Sequence, residues 1–239
     1  MEIIHLEEIG STNEYVKNNI TNLNDKSVVY ADRQISGHGR LGRTWVDTGD
    51  ENLYLTFVLK PFKEMNPIYA NLTQYLSLTL CYVLEEEYNL KPQIKWPNDV
   101  LVNNKKIAGI LSEGTTQAGI FQGLALGIGV NLNTPNEKLA KIDKPATSIL
   151  SETTQIVDKT EFIKKLCTKF FLLYDNFIEK GFSSIKSFYT DRASFLGKDI
   201  SINVLGDVHR GIAMDVSDDG SLILRESDKD NVYFIGDIL

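Results

Sequence analysis

The spacing of apolar residues predicts a mixture of strands and helices over about the first 190 residues. Helices are expected at 67–90 and 160–179, where apolar residues recur every three or four positions. In the second helix, Phe170, Leu173 and Phe177 are among the residues expected to face inward. Shorter apolar runs predict strands at 2–9, 27–32, 52–59, 93–102, 105–112 and 120–132.

The pattern changes near residue 190. Four short alternating runs follow, separated by Gly and Asp clusters: DISINVL, GIAMDV, SLILRE and NVYFIG. They predict a small all-β barrel or sandwich, so we expect two domains, 1–190 and 191–239. The second domain has 5 basic and 10 acidic residues, which accounts for most of the net charge of −7. The first domain is close to neutral and can hold a local positive site.

Composition is ordinary for a soluble globular protein: of 239 residues, 42% are hydrophobic and 24% are charged. These values exclude intrinsic disorder, collagen-like structure and a disulfide scaffold as overall classes. Cys81 and Cys167 lie in apolar, helix-like stretches and are expected to be buried free thiols. The three histidines are isolated in the sequence, so protein ligands alone predict no metal site.

No feature of the sequence indicates export, a membrane span or a nucleic-acid partner. No run reaches the roughly 18 apolar residues that a spanning helix needs. The acidic N-terminus lacks the basic and apolar regions of a secretory signal. We therefore expect a cytoplasmic protein with no membrane partner. The acidic net charge also argues against a dedicated nucleic-acid binder.

Two short segments carry cap and turn signals. Ser11, with Glu14 three residues later, matches a capping box and predicts a polar helix that ends at about residue 22. The pair Asn103–Asn104 separates two strand-like runs, and Asn tolerates the positive φ that a tight hairpin needs.

A long Gly- and Arg-rich loop is expected at 33–51, and it contains the string GHGRLGRTW at Gly37–Trp45. The string includes a formal GxGxxG. The residues after it do not begin the amphipathic helix that a dinucleotide-binding loop requires, so that function is disfavoured. The chain has no GxxxxGK[ST] sequence, which excludes a P-loop.

The same loop is a candidate anion site. Arg33, Arg40 and Arg43 have no acidic residue between them, and arginine forks bind carboxylate or phosphate through paired hydrogen bonds. Trp45 offers a flat face for stacking. The alternative is a solvated basic loop with Trp45 in the core.

Two further motifs leave both structural and functional interpretations open. In Lys95–Asp99, the string KWPND, the last two polar residues indicate either turn chemistry or a site. Lys106 lies just past the hairpin tip, and simple alternation would place it on the same strand face as Ala108. The run Gly127–Asn133, GIGVNLN, indicates close backbone approach to another group, or a bulged strand with a satisfied, buried Asn131.

These strings, in this order, resemble the biotin–protein ligase family. The resemblance covers nearly the whole chain and rests on GSTN at residues 10–13, Gln34, the GHGRLGRTW loop, KWPNDVLV, KKIAGIL and GIGVNLN. It implies an α/β (α+β) fold. A mixed sheet with helices would form a catalytic domain similar to class II tRNA synthetases, followed by a small C-terminal SH3-like β-barrel.

The resemblance implies a two-step ligase that activates biotin with Mg-ATP to biotinyl-5′-AMP. It then transfers biotin to a lysine of a biotin carboxyl carrier domain. Joining a carboxylate to a polyphosphate requires cationic clamps, since charge grows at the α-phosphate. Arg40 and Lys106 match the family's loop arginine and hairpin lysine, and we expect them to be catalytic. Magnesium is expected to arrive mainly with ATP, without a dedicated protein cage.

The family's ligand contacts carry over to matching positions. For biotin these are Ser11, Thr12, Asn13, Gln34, Gly37, His38, Arg40, Lys106, Gly109 and Leu111. For ATP or the adenylate they are Arg40, Arg43, Trp45, Asn98, Lys106 and Asn131. Lys95 and Asp99 would orient the acceptor lysine or Mg²⁺. One departure is His38, which stands where some relatives carry Arg.

Further expectations concern partners and alternatives. A homodimer is possible. Ser11 begins the catalytic motifs ten residues from Met1, so we expect no DNA-binding repressor domain. One alternative is a lipoate or octanoate ligase, although the polar Thr12 and Gln34 favour a ureido head group over an apolar one. The other alternative is a biotin sensor that binds without transfer, which the pair of Arg40 and Lys106 disfavours.

Overall fold

The computed structural model describes residues 1–46, 49, 51–60 and 66–239. In this part of the chain two β-sheets and six α-helices form a mixed α/β fold. The strands of the first sheet are β1 (Ile3–Ile9), β2 (Val28–Gln34), β3 (Leu53–Leu59), β4 (Pro92–Lys95), β5 (Asp99–Val102), β6 (Lys105–Gln117) and β7 (Ile120–Val130). Those of the second are β8 (Asp199–Val204), β9 (Asp207–Val216), β10 (Leu222–Glu226), β11 (Lys229–Tyr233) and β12 (Asp237–Ile238). The helices are α1 (Thr12–Asn19), α2 (Ile68–Tyr88), α3 (Asn136–Leu139), α4 (Ile149–Thr153), α5 (Lys159–Lys180) and α6 (Lys186–Thr190).

The first sheet is mixed, with strand order β1-β2-β3-β7-β6-β5-β4. Only β1 and β2 pair in parallel, and helix α1 makes the crossover that a parallel pair requires. The second sheet is antiparallel, with order β11-β10-β9-β8-β12. Its last strand returns to pair with its first, at Ile238 opposite Ile202, while β11 and β12 remain the two edges.

The local signals at the start of α1 and at the β5–β6 hairpin are confirmed. The Ser11 hydroxyl accepts a hydrogen bond from the Glu14 amide at 3.4 Å, as an N-cap residue does. Helix α1 ends at Asn19 instead of near residue 22. Asn103 and Asn104 have φ values of 51° and 60°, which are those of a tight hairpin.

Helices α2 and α5 pack against the first sheet around an aromatic cluster. The ring of Phe170 on α5 stacks on Phe57 of β3, with centroids 4.2 Å apart. The expectation that Leu173 faces inward is wrong, since that side chain is half exposed. Tyr174, four residues after Phe170, is buried instead. A 3.6-residue period allows either the third or the fourth position, and here the larger ring fills the core.

Both cysteines are buried free thiols, as expected from the sequence. Burial raises the pKa of the Cys167 thiol to about 12. Among the described helices, none combines the length and the apolar character needed to cross a membrane.

The second sheet is fastened to the first beside β4. The Ile94 amide donates to the Arg192 carbonyl at 2.7 Å, and the Ser194 amide donates to the Ile94 carbonyl at 2.8 Å. The Trp96 indole N–H donates to the Gly220 carbonyl at 3.2 Å. These bonds join the segment before β8 and the turn between β9 and β10 to β4 and to Trp96, the residue that follows β4.

Candidate functional site

A cavity of about 540 Å³ opens over the middle of the first sheet. Strands β6 and β7 form its floor, where Gly109 pairs with Gly129 and Leu111 pairs with Gly127. The start of α1, the loop after β2, the β5–β6 hairpin and strand β12 surround it. The cavity therefore draws on both sheets.

The glycines on this floor make room for two side chains of the protein itself. A Cβ atom on Gly129 would lie 2.6 Å from Cε2 of Trp45, and one on Gly109 would lie 2.9 Å from Cζ3 of the same ring. A Cβ on Gly127 would collide with the Asn13 amide. The predicted close approach to the GIG segment is confirmed, and the approaching groups are an indole and an amide.

One end of the cavity is polar but uncharged. The Gln34 side-chain carbonyl accepts hydrogen bonds from the Thr12 amide at 3.0 Å and from the Thr12 hydroxyl at 3.2 Å. The Thr56 hydroxyl lies 2.9 Å from Thr12 Oγ1 and donates to Asn13 Oδ1 at 2.7 Å. All four residues are buried, so this wall is preorganised before any ligand binds.

Glu113 supports that wall from behind. Its carboxylate accepts from Asn13 Nδ2 at 2.9 Å and from Lys17 Nζ at 2.6 Å, and it lies 3.5 Å from His38 Nε2. Burial alone would raise the pKa of Glu113. The hydrogen bonds from Lys17 and Asn13 outweigh burial and hold that pKa below its usual 4.5. The glycine-rich loop is thus tied to β6 through His38.

The other end of the cavity is cationic. Of the described side chains that line the cavity, five are basic and three are acidic, which leaves two excess positive charges. Lys106 Nζ lies 2.6 Å from Asp99 Oδ1 and 5.4 Å from the centre of the Trp45 ring. Burial lowers the pKa of Arg40, and the nearby carboxylates of Asp237 and Asp99 oppose that shift.

The expected alternation around Lys106 is wrong because β6 contains a bulge. Val100 pairs with Ala108 and Leu101 pairs with Lys106, which leaves Ile107 without a pairing partner on β5. An extra residue reverses the alternation of faces. Lys106 therefore shares a face with Gly109, where a Cβ would lie 2.9 Å from Lys106 Nζ.

An elongated cavity with a neutral polar end, a flat floor and a cationic end suits a ligand with the matching parts. Such a ligand has a polar, uncharged head at one end and an anionic group at the other. Among the described residues, no cluster of three or more His, Cys, Asp or Glu side chains could hold a metal ion.

Comparison with known families shows to which family the chain belongs. The sequence model of the Biotin/lipoate A/B protein ligase family matches residues 6–131, more than half of the chain. The chain belongs to this family. The match begins in β1 and ends just after β7, so it contains both ends of the cavity floor.

Individual relatives agree with the family match. The biotin–[acetyl-CoA-carboxylase] ligase of Paracoccus denitrificans is 33% identical over 92% of this chain and 92% of its own length. The bifunctional ligase/repressor BirA of Bacillus subtilis is 27% identical over 91% of this chain and 67% of its own length. The structure of Aquifex aeolicus biotin protein ligase in complex with biotin and ATP superposes with a TM-score of 0.86 at 28% identity, covering 100% of this chain and 97% of that one.

The structure brings nearly all of the site residues expected from the sequence to this one cavity. Those in its lining are Ser11, Thr12, Asn13, Gln34, His38, Arg40, Arg43, Trp45, Lys95, Asn98, Asp99, Lys106, Gly109, Leu111 and Asn131. Gly37 is not in the lining. Its carbonyl instead accepts from the Trp45 amide at 2.9 Å, which shapes the loop.

Two of these residues use their side chains to hold the backbone. Asn98 Nδ2 donates to the Ile110 carbonyl at 2.9 Å. Asn131 Nδ2 donates to the Thr147 carbonyl at 2.9 Å, and its Oδ1 accepts from Asn52 at 3.3 Å. The Asn131 side chain is therefore a satisfied, buried amide, as its structural interpretation predicts. The Asn98 side chain does not make a local turn bond, since it joins the start of β5 to β6.

The expectation that Arg33 lies on the same loop as Arg40 and Arg43 is wrong. Strand β2 continues through Gln34, so Arg33 lies in the sheet and pairs with Glu8 at 3.2 Å. Arg40 and Arg43 lie on the loop, but both face the carboxylate of Asp237. Residues 47, 48 and 50 of the predicted loop lie outside the described residues.

Sequence reasoning missed several residues at the cavity. Asp237 gave no signal, because it is one acid among many in an acidic domain far along the chain. The segment 142–146 also lines the cavity and is fixed there by a bond from the Lys106 amide to the Pro145 carbonyl at 2.9 Å. Glu113 follows the recognised KKIAGIL string by two residues, and its position two residues after Leu111 on the same strand could have indicated it.

Proposed function

We propose that this protein is an ATP-dependent biotin–protein ligase. In its first step a biotin carboxylate oxygen bonds to the α-phosphorus of ATP, the bond to pyrophosphate breaks, and biotinyl-5′-AMP forms. In the second step a lysine amine of a biotin carboxyl carrier domain attacks the acyl carbon, and AMP leaves. The observation that carries the proposal is the union, in one cavity, of a neutral polar wall at Thr12 and Gln34 with a cationic end at Arg40 and Lys106. The biotin ligases among the relatives support it.

The polar wall fits the head of biotin. A ureido group offers one carbonyl and two N–H groups, and each must find a partner in a buried site. Ser11, Thr12, Asn13 and Gln34 supply hydroxyl and amide groups. Thr56 and Glu113 already orient Asn13, and Thr12 orients Gln34. The remaining proposed head and chain contacts are Gly37, His38, Gly109 and Leu111. Gly37 would act indirectly, through the shape of the loop.

Arg40 and Lys106 fit the catalytic role. Bringing a carboxylate to a polyphosphate creates repulsion, and preorganised cations lower that cost most where water is excluded. Lys106 is only one-third exposed and is already held by Asp99 and Trp45. In the reaction, Arg40 would hold the carboxylate and the α-phosphate, and Lys106 would stabilise the charge that grows on the same oxygens.

The adenylate would lie along the same cationic end. Arg43 adds a guanidinium for phosphate, and Trp45 offers a face to the adenine or the biotin chain. Asn98 and Asn131 would also contact the adenylate, since each Nδ2 uses only one of its two N–H groups on a backbone carbonyl. Mg²⁺ bound with ATP would neutralise phosphate charge, and the carboxylate of Asp99 is the kind of ligand that the ion prefers. Asp99 and Lys95 are also placed to orient an acceptor lysine.

Four broader assignments belong to this proposal. The two domains would be 1–190 and 191–239, supported by two sheets that share no strand. The second would be an SH3-like barrel, supported by the return of β12 to pair with β8. The exposed edge strand β1 would allow a homodimer to form. Consumption of ATP fits a cytoplasmic location.

Transfer to a carrier tests the whole reaction. The protein is incubated with biotin, Mg-ATP and a biotin carboxyl carrier domain, and the mass of the carrier is measured. We expect an increase equal to one biotin minus water, on the acceptor lysine alone. A carrier with that lysine replaced by arginine is the matched control and should stay unmodified. Unchanged carrier mass in the presence of accumulated biotinyl-5′-AMP would contradict the transfer step.

A further inference from the structure

The second sheet contributes one carboxylate to the cationic end of the cavity. Asp237, the first residue of β12, lies in the cavity lining. Its Oδ1 is 3.5 Å from Arg40 Nε, and its Oδ2 is 3.1 Å from Arg43 Nη2. The neighbouring Gly236 carbonyl accepts from Arg40 Nη2 at 3.1 Å. One strand end therefore holds both loop arginines.

The environment of Asp237 differs from that of an ordinary surface ion pair. Its side chain is only 6% exposed, and its Oδ2 makes no aligned hydrogen bond with any described residue. Asp230, on β11 at the opposite edge of the same sheet, is 44% exposed and forms two aligned bonds with Arg225, at 2.7 and 2.9 Å. A buried carboxylate depends on its partners for its charge, whereas the exposed one is solvated.

The arginines depend on Asp237 in turn. Burial and, to a smaller degree, the nearby charge of Arg43 lower the pKa of Arg40. The carboxylate of Asp237 opposes both effects on Arg40. A guanidinium has five N–H donors, and Asp237 with Gly236 uses only part of that set on Arg40. The remaining donors stay available at the cavity.

We propose that Asp237 is a positioning residue that fixes Arg40 and Arg43 for the anionic part of the substrates. This proposal rests on the proposed function, because the anions concerned are the biotin carboxylate and the phosphates of ATP. The second sheet then completes the active site: it sets the arginines in place, while the arginines touch the substrate. Loop and strand end form one unit that is assembled before ligand binds.

The test compares Asp237→Asn with the wild type and with Asp230→Asn, which removes a carboxylate from an exposed pair on the same sheet. The first readout is the rate at which trypsin cleaves after Arg40 and Arg43 in the absence of ligand. It does not depend on enzymatic activity. We expect Asp237→Asn to be cut about fivefold faster than the wild type or more, because the loop opens more often. Asp230→Asn should match the wild type.

The second readout is ATP–pyrophosphate exchange with biotin. We expect Asp237→Asn to lower kcat/KM for ATP by about tenfold or more, the usual scale of a small misplacement of a reacting group. When Asp237→Asn is added to Arg43→Gln, the further loss of kcat/KM for ATP should be smaller than the loss that Asp237→Asn causes in the wild type, because the two residues act together. Asp237→Glu, which keeps the charge, should retain slow cleavage, and it serves as the test variant if Asp237→Asn does not fold.

Wild-type cleavage and wild-type exchange in Asp237→Asn would overturn the proposal. Equal acceleration of cleavage throughout the chain would also overturn it, because Asp237 would then only hold the second sheet in place. If the wild type makes no biotinyl-5′-AMP, the proposed function fails. The cleavage comparison still decides whether Asp237 fixes the arginines.

Discussion

The indole of Trp45 lies against the backbone of Gly129, in the space that a Cβ atom would occupy. Gly109, which pairs with Gly129 across β6 and β7, widens this seat. Lys106 Nζ lies 5.4 Å from the centre of the ring. The buried indole Nε1 has no hydrogen-bond partner among the described residues. The floor of the cavity is thus shaped for one aromatic ring, and that ring contacts the proposed catalytic lysine.

Gly129→Ala should move Trp45 out of its seat. The added Cβ would lie 2.6 Å from the indole, and the three nearest atoms all belong to this rigid ring. We expect altered tryptophan fluorescence and at least about tenfold slower biotinyl-5′-AMP formation, the scale of a displaced reacting group. Gly10→Ala is the control, since its Cβ would meet only Ser36 Cβ at 3.9 Å. Unchanged fluorescence in Gly129→Ala would contradict the packing of Trp45 against Gly129.

Lys106→Ala should form biotinyl-5′-AMP much more slowly than the wild type. Removing a preorganised donor to developing charge typically slows catalysis by about 10²–10³-fold, and we expect that loss in adenylate formation. Lys105→Ala is a matched control, because Lys105 is the adjacent lysine at the hairpin and is exposed. Pyrophosphate exchange measures both. Equal rates for the two variants would show that the lysine is not catalytic.

The sequence alone indicated the glycines of the floor and the loop arginines Arg40 and Arg43, because paired glycines and a run of arginines are local signals. The local pattern around Lys106 left a structural interpretation open, and its role followed from the family resemblance. The bulge at Ile107 was not visible, since it depends on how β5 pairs with β6. Asp237 was not visible for a similar reason: it meets Arg40 only because the second sheet docks beside β4.

Gln34→Leu should separate a ureido head group from an apolar one. Loss of the side-chain carbonyl leaves the Thr12 amide without its acceptor. It would also remove the proposed polar contacts of Gln34 to the ureido ring. We expect the KM for biotin to rise about tenfold or more, together with a stability loss of about 1–3 kcal/mol. Gln93→Leu changes the same residue type at an exposed position of β4. Biotin activation at the wild-type KM in Gln34→Leu would remove Gln34 from the ring site.

Glu113 should make stability depend on acid pH. Its pKa in the folded protein lies below 4.5, so its contribution is complete above that pH and is lost as the pH falls through the folded-state value. Glu113→Gln should therefore be less stable by about 1.5–3 kcal/mol at pH 7, the range for hydrogen bonds to a charged group. The difference should shrink below pH 4.5. Urea unfolding at pH 7 and pH 3.5 measures both, and a difference that grows on acidification would refute the assignment.

The positions of the long helices could also be predicted, because apolar residues recur in them every three or four positions. Helix α5 was expected within one residue at each end, but its choice of Tyr174 over Leu173 depends on which side chain fills the space beside Phe170. Asn89, with φ of 52°, ends helix α2 before Pro92 is reached. Which side chain is buried and where a helix ends depend on packing and on single backbone angles. The spacing of apolar residues along the sequence carries no information about either.

Activation of biotin in the cavity can be measured directly. The direct measurement is mass spectrometry of the small molecules formed when the protein is incubated with Mg-ATP and either biotin or lipoate. We expect biotinyl-5′-AMP with biotin and no adenylate with lipoate. Lipoyl-AMP in place of biotinyl-AMP, or bound biotin without any adenylate, would contradict it.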